Sequence, residues 1–405
     1  MTRTDDSAAN PVGGGALNLV DRTGGADRDR MVRSLRAEFP LLDTCVYLNS
    51  NSTGAVPRGV EEVLRRYWRT LTRWRDEVWG DWLEQTSAYT DALAAFLGAP
   101  PGSVVTDVNL STLLARIGTC LDFGGPRSKV VTTGLEFPTV PLIWQGFARY
   151  GAELEIVGSG PGFDEAALEA AIDERTRCVC VSHGSYSTGA LLDLRRIVAR
   201  AHSVGAYVIV DAYQTVGTVP LDVTELGVDF VLGGAHKWMC GAATAFLYVR
   251  PDLIADLRPA ATGWLAGADP TSFRSPVVLA GDARRLASGT PVPLGPMMSR
   301  IGLDLLSGIG VETIRGHSLA CTGRVLERAD AAGIEVVTPR EPHRRGGVVC
   351  LRFDGDERVN RSLVDRGMVC SWRGSLRVAP HIYNTIAEVD AFMDAVETER
   401  ERITA

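Results

Sequence analysis

Between residues 103 and 249, short and almost wholly apolar runs recur, each followed by polar turn residues or by apolar positions at helical spacing. This pattern predicts strands at 103–106, 129–133, 153–157, 178–182, 207–210, 230–233 and 245–249. It predicts helices at 111–121, 141–150, 164–171 and 194–203. Continuous apolar strands separated by helices imply an α/β fold, a doubly wound and mostly parallel sheet covered on both faces. Upstream, 59–97 reads as a long helical stretch broken near Gly80, and 30–48 as a short helix followed by a strand at 45–48. Downstream, a long helix begins near Pro296, and strand, helix, strand, helix follow at 348–353, 359–366, 376–379 and 386–398. Residues 1–29 carry few large apolar side chains and read as a disordered tail. The expected division is a tail (1–29), an N-terminal segment joining the small domain (30–58), a large sheet domain (59–295) and a small C-terminal α+β domain (296–405).

Composition narrows the function classes. The net charge is −7, with no long basic run, so neither nucleic acid nor an anionic membrane is expected as a partner. No apolar run is long enough to cross a bilayer, and the N-terminal residues contain no signal-peptide apolar core. The eight cysteines are scattered without C-x-x-C spacing, and several lie in apolar strands. That usage fits buried free thiols in a reducing cytoplasm and offers no metal site.

The most informative stretch follows the 230–233 strand, where two glycines lead into His236-Lys237-Trp238. The preceding strand, 207–210, ends in a carboxylate, Asp211, within Asp211-Ala212-Tyr213-Gln214. A lysine at one strand end and a carboxylate at the next suit pyridoxal phosphate. The amine bonds the cofactor's aldehyde, and the carboxylate keeps the ring nitrogen protonated. Taken alone, Lys237 is a solvated strand end and Asp211 a helix N-cap. Gln214 faces either the same turn or the ring. Ser111 and Thr112 open a helix, as a phosphate site requires, although a plain capping segment has the same form. His236 offers a further phosphate donor. Phe137, in Glu136-Phe137-Pro138-Thr139, stands beyond a strand end where a ring could stack, or in the core. Arg377 offers a bidentate clamp for a substrate carboxylate, although arginines on strands are usually surface residues. Asn49 begins a polar loop of the kind that faces a site. Trp68, Trp74, Trp79 and Trp82 crowd one helical region, either as helix or subunit packing or as an aromatic wall for a bulky substrate.

Together these stretches resemble the class V aminotransferase family of fold-type I pyridoxal-phosphate enzymes, and within it a kynureninase-like and isopenicillin-epimerase-like group. Tyr-Leu-Asn-Ser-Asn-Ser-Thr-Gly at 47–54, Ser-His-Gly-Ser-Tyr-Ser-Thr-Gly at 182–189, Thr-Gly-Trp-Leu at 262–265 and Ser-Gly-Thr-Pro at 288–291 complete the match. The resemblance implies a homodimer with sites at the interface, Trp264 and Thr290 reaching the neighbour's phosphate, and Ser185 and Tyr186 near the cofactor. It also implies that Arg377 holds the carboxylate of an amino-acid substrate. Val140 stands where kynureninases carry an acidic residue, Gln214 where they usually have His, and His236 where they have Tyr. The stretch 369–374 does not reproduce the desulfurase cysteine loop. The expected activity is cleavage or elimination at Cβ by a specialised enzyme of secondary metabolism. Transamination, epimerisation, decarboxylation and a non-catalytic cofactor-binding role remain as alternatives.

Overall fold

The computed structural model describes residues 25–404 apart from Trp74, Asp76 and Arg274. Most of the expected tail and Trp74 therefore lie outside the described residues. The tail expectation fails at its C-terminal end, because a helix already begins at Gly25 (Gly25–Arg36). Met31, Val32 and Leu35 of that helix are buried in the main core, which outweighs its polar average.

The strands are β1 (Val46–Tyr47), β2 (Val104–Asp107), β3 (Lys129–Thr133), β4 (Glu153–Val157), β5 (Thr176–Ser182), β6 (Tyr207–Asp211), β7 (Phe230–Gly234) and β8 (Ala245–Val249). The later ones are β9 (Glu335–Val336), β10 (Val349–Arg352), β11 (Met368–Val369), β12 (Ser371–Trp372) and β13 (Leu376–Val378). Seven of them form one sheet in the order β2-β8-β7-β6-β5-β3-β4. From β7 to β4 every neighbour is parallel, whereas β8 runs antiparallel to both β7 and β2.

Period-two alternation sends the strand side chains to two cores. Val208 and Val210 join one cluster with Ile197 and Ala201 of the helix Leu194–Ser203. Ile209 joins the other, with Leu113 and Ile117 of the helix Leu110–Cys120 and with Trp144. A second sheet, β12-β13-β10-β9, packs Val349, Leu351, Leu376 and Val378 against Phe392 and Val396 of the helix Ile386–Thr404. β1 pairs in parallel with β11, so the N-terminal segment is stitched to residues more than three hundred positions later.

The long helical stretch is two helices, Val60–Thr72 and Val78–Phe96, and the break falls before Gly80 rather than at it. A methyl group at Gly80 would meet nothing, so this glycine marks no close approach and is simply carried in the helix. The helix Leu294–Ile309 packs against both. Among the described residues no helix is long and apolar enough to cross a membrane.

Candidate active site

Strand register sets the site. Ser182 pairs with Asp211, Asp211 with Leu232, and Gly234 and Asp107 both pair with Ala245. The C-terminal ends of β2, β5, β6 and β7 therefore share one sheet edge, where open α/β sheets bind ligands. Asp211 closes β6, and its Oδ1 accepts the Tyr213 N–H at 2.8 Å. Burial raises this carboxyl above the ordinary range, while the Tyr213 N–H and Lys237 pull it back.

Beyond β7 the chain turns through His236 and Lys237. Burial pushes the Lys237 amine down to about 8; Asp211 opposes the shift and Arg377 adds to it. Lys237 Nζ lies 5.1 Å from the Tyr213 ring centroid and 5.9 Å from that of Phe137. The turn is gripped from outside: Gly54 donates its N–H to His236 O at 2.7 Å. A Cβ on Gly54 would sit 1.9 Å from Lys237 O, so only glycine allows the loop this close. From the second sheet, Arg377 donates Nη1–H to Tyr186 O at 3.0 Å, and the Tyr186 ring meets Phe137 edge-on at 5.4 Å.

Several buried polar atoms on the lysine turn, on β13 and on the 49–54 loop find no hydrogen-bond partner among the described residues: Arg377 Nε, His236 Nδ1, Asn49 Oδ1 and both amide atoms of Asn51. Polar atoms left open in this way are available to a polar ligand or to water. The structure thus gathers Lys237, Asp211, Phe137, His236, Gln214, Asn49 and Arg377 around one locus. Gln214 is more occupied than expected: Nε2 donates to Asn51 O at 3.0 Å and Oε1 accepts from Trp238 Nε1 at 3.3 Å. Ser185 is buried, and its hydroxyl accepts from the Ser187 and Thr188 N–H groups, which closes a turn.

Ser111 and Thr112 stand at the end of β2, on the same sheet edge. Asn109 caps their helix by accepting the Thr112 N–H at 2.9 Å and the Thr112 hydroxyl at 3.1 Å, while Ser111 is exposed. A cleft of about 430 Å³ beside them is lined by Asp107, Val108, Thr244 and Thr290. Trp264 and Thr290 come from neighbouring loops, since Gly263 rests against the backbone of Ser288 and Gly289. Trp79 meets Trp82 at 5.5 Å and Trp264 at 6.5 Å, whereas the rings facing Lys237 are Phe137 and Tyr213.

The motif reading left three neighbours without a role: Tyr213, Gly54 and Glu136. Tyr213 was visible as the residue between Asp211 and Gln214. Glu136, beside Phe137, is buried; its Oε1 accepts from the Thr133 hydroxyl and its Oε2 from the Ser182 hydroxyl. Burial pushes this carboxyl up to about 7, opposed by those hydroxyls and reinforced by Asp211.

The profile of the aminotransferase class-V family matches residues 46–392. The chain belongs to the class V aminotransferase family. An uncharacterised aminotransferase of Bacillus subtilis is 30% identical over 374 residues, covering 91% of this chain and 98% of the relative. A kynureninase of Deinococcus radiodurans is 31% identical, covering 88% and 90%. Among solved structures, a cysteine desulfurase of Thermococcus onnurineus superposes with a TM-score of 0.81 at 24% identity, covering 91% and 97%. The likeness to that structure is one of fold. Class V aminotransferases, this chain included, are pyridoxal 5′-phosphate enzymes. The residues present fit that cofactor: a buried amine of lowered basicity, a carboxylate at the adjoining strand end, an exposed phenylalanine beside them and orphaned polar atoms around them.

Proposed function

We propose that this class V enzyme cleaves or eliminates at Cβ of an α-amino acid, with a bulky β-substituent preferred. When bound, pyridoxal phosphate supplies an aldehyde for the amine and a ring that accepts electrons from Cα. Lys237 carries the cofactor and moves the proton at Cα, which an amine near neutral basicity can do in both directions. Asp211 pairs with the ring nitrogen, Phe137 covers the ring, and Ser111, Thr112 and His236 hold the phosphate. Asn49, Gln214 and Ser185 line the pocket. Trp264 and Thr290 complete the phosphate site of a second subunit in a homodimer, and Trp79 buttresses Trp264.

The observation that carries the substrate class is the buried Arg377 Nε, which has no partner among the described residues and belongs to a guanidinium close enough to Lys237 to depress its amine. A planar carboxylate answers the free side of that guanidinium. Kynureninases among the relatives support breaking a side-chain bond, as does the shared fold of a cystine C–S lyase solved with its product cysteine persulfide. The departures at Val140, Gln214 and His236 support a specialised substrate, in secondary metabolism. The Bacillus relative favours transamination as the second reading.

The test has two steps. Borohydride reduction of the cofactor-loaded protein and peptide mapping should place the adduct on Lys237; an adduct elsewhere rejects the assignment. Incubation with L-kynurenine, L-cystine and L-alanine then separates the readings. Release of a β-fragment supports cleavage, whereas keto acid with the side chain intact supports transamination.

A further inference from the structure

His381 is fully buried, on the segment that runs on from β13 and Arg377. Its ring nitrogen Nε2 lies 2.7 Å from Trp238 O, the carbonyl next along the chain from Lys237. A carbonyl only accepts, so Nε2 carries the proton and Nδ1 is the bare nitrogen, buried with no partner among the described residues. Burial pushes this imidazole down to about 4, so one neutral tautomer persists through the working pH range.

Gly217, at φ +91°, presses so close that a Cβ there would lie 2.6 Å from Trp238 O. The imidazole itself packs edge-on to Trp238, with centroids 5.5 Å apart.

The same segment holds the opposite wall. Asn384 accepts the His381 N–H at 2.9 Å and donates to Tyr47 O at 3.0 Å. The Tyr383 hydroxyl bonds Ser50 Oγ at 2.6 Å and accepts the Ala55 N–H at 3.2 Å. The loop so held is the one whose Gly54 grips the Lys237 turn.

We infer that His381 is a positioning residue for Lys237: its Nε2–H fixes the Trp238 carbonyl, and with it the turn presenting the amine, to the strand that carries Arg377. The role rests on Lys237 being the cofactor lysine, as proposed above. The bond spans the two elements that must meet one substrate, the amine at Cα and the guanidinium at the carboxylate. Small displacements of such groups cost rate out of proportion to the energy of one hydrogen bond.

The test compares His381→Gln with His381→Asn. A glutamine amide reaches about as far as Nε2; an asparagine amide stops near Nδ1. Two readouts are taken from the cofactor-free protein: the rate of pyridoxal-phosphate capture, and the pH midpoint of Lys237 modification by trinitrobenzenesulfonate, located by peptide mapping. His381→Asn should slow capture roughly 10- to 100-fold and displace the midpoint. His381→Gln should stay within about threefold of wild type with its midpoint unmoved. Phe392→Leu, in the core under the second sheet, controls for lost stability. His381→Asn that captures like wild type overturns the inference, and so does His381→Gln as impaired as His381→Asn. The trinitrobenzenesulfonate arm needs no cofactor. A wild type that takes up no pyridoxal phosphate would therefore reject the proposed function while that arm still decides the role of His381.

Discussion

The opposing influences on Lys237 give a prediction of definite sign. Its amine is brought from 10.5 to about 8 by burial, with Arg377 lowering it further and Asp211 raising it. At pH 7.5 an amine at about 8 is roughly one quarter neutral, and one at 10.5 roughly one part in a thousand, a ratio of about 240. Only the neutral amine attacks an aldehyde. Asp211→Asn removes the anion that favours the ammonium but keeps an oxygen for the Tyr213 N–H. The midpoint of pyridoxal-phosphate capture should fall below about 8, and capture at pH 7.5 should quicken. Retention should worsen at the same time, because the ring nitrogen loses its counter-charge, and turnover should drop by orders of magnitude. Arg377→Met should move the midpoint upward. The assay is stopped-flow absorbance of the cofactor-free protein mixed with pyridoxal phosphate from pH 6 to 10. A wild-type midpoint near 10, or an upward move in Asp211→Asn, would refute the electrostatic account.

Arg377→Lys keeps the charge and loses the fork, so the Michaelis constant for an amino-acid substrate should rise about tenfold or more with cofactor capture intact; steady-state kinetics decide this. Glu136 has a folded pKa of about 7 against an ordinary 4.5, so the unfolded chain gives up the proton first. The stability linked to this carboxyl is present below about 4.5 and is lost as pH rises through about 7, and Glu136→Gln should flatten that decline in urea melts. Gly54→Ala should cost about 1–3 kcal/mol, since its Cβ lies 1.9 Å from Lys237 O, and should lower both the melting temperature and cofactor retention. Trp264 and Thr290 acting across an interface require a dimer, so sedimentation should find no catalytically active monomer.

The sheet was legible in outline because its strands are unbroken apolar runs. Lys129–Thr133, Glu153–Val157 and Ala245–Val249 match their predicted limits. Their order was not, since an antiparallel β8 between β2 and β7 depends on crossovers that leave no local pattern. Lys237 and Asp211 stand out in the sequence as charges set in apolar or glycine-rich surroundings, whereas Arg377 reads as an ordinary strand arginine and was singled out through the family resemblance. Gly54 and His381 do not stand out, because a close approach and a bond to a backbone carbonyl look like any loop glycine or surface histidine. Gln214 was expected to face either its own turn or the ring, and its bonds to Asn51 O and Trp238 Nε1 were not foreseen because they join loops far apart in sequence. The break near Gly80 was legible, but its place at 73–77 was not, because the glycine itself is tolerated on an exposed face inside the second helix.

The stitching of β1 to β11, and of Tyr47 and Ser50 to Asn384 and Tyr383, also bears on synthesis. The loop that grips the lysine turn leaves the ribosome early, yet the residues that hold it are made more than three hundred positions later. The seven-stranded sheet, complete at Val249, has all its strands well before then. A nascent chain halted between Val249 and Asn384 therefore holds every strand of the large sheet and an unfinished lysine pocket. If Lys237 carries the cofactor as proposed, loading waits for the C-terminal segment, whose contacts of such long sequence separation form slowly.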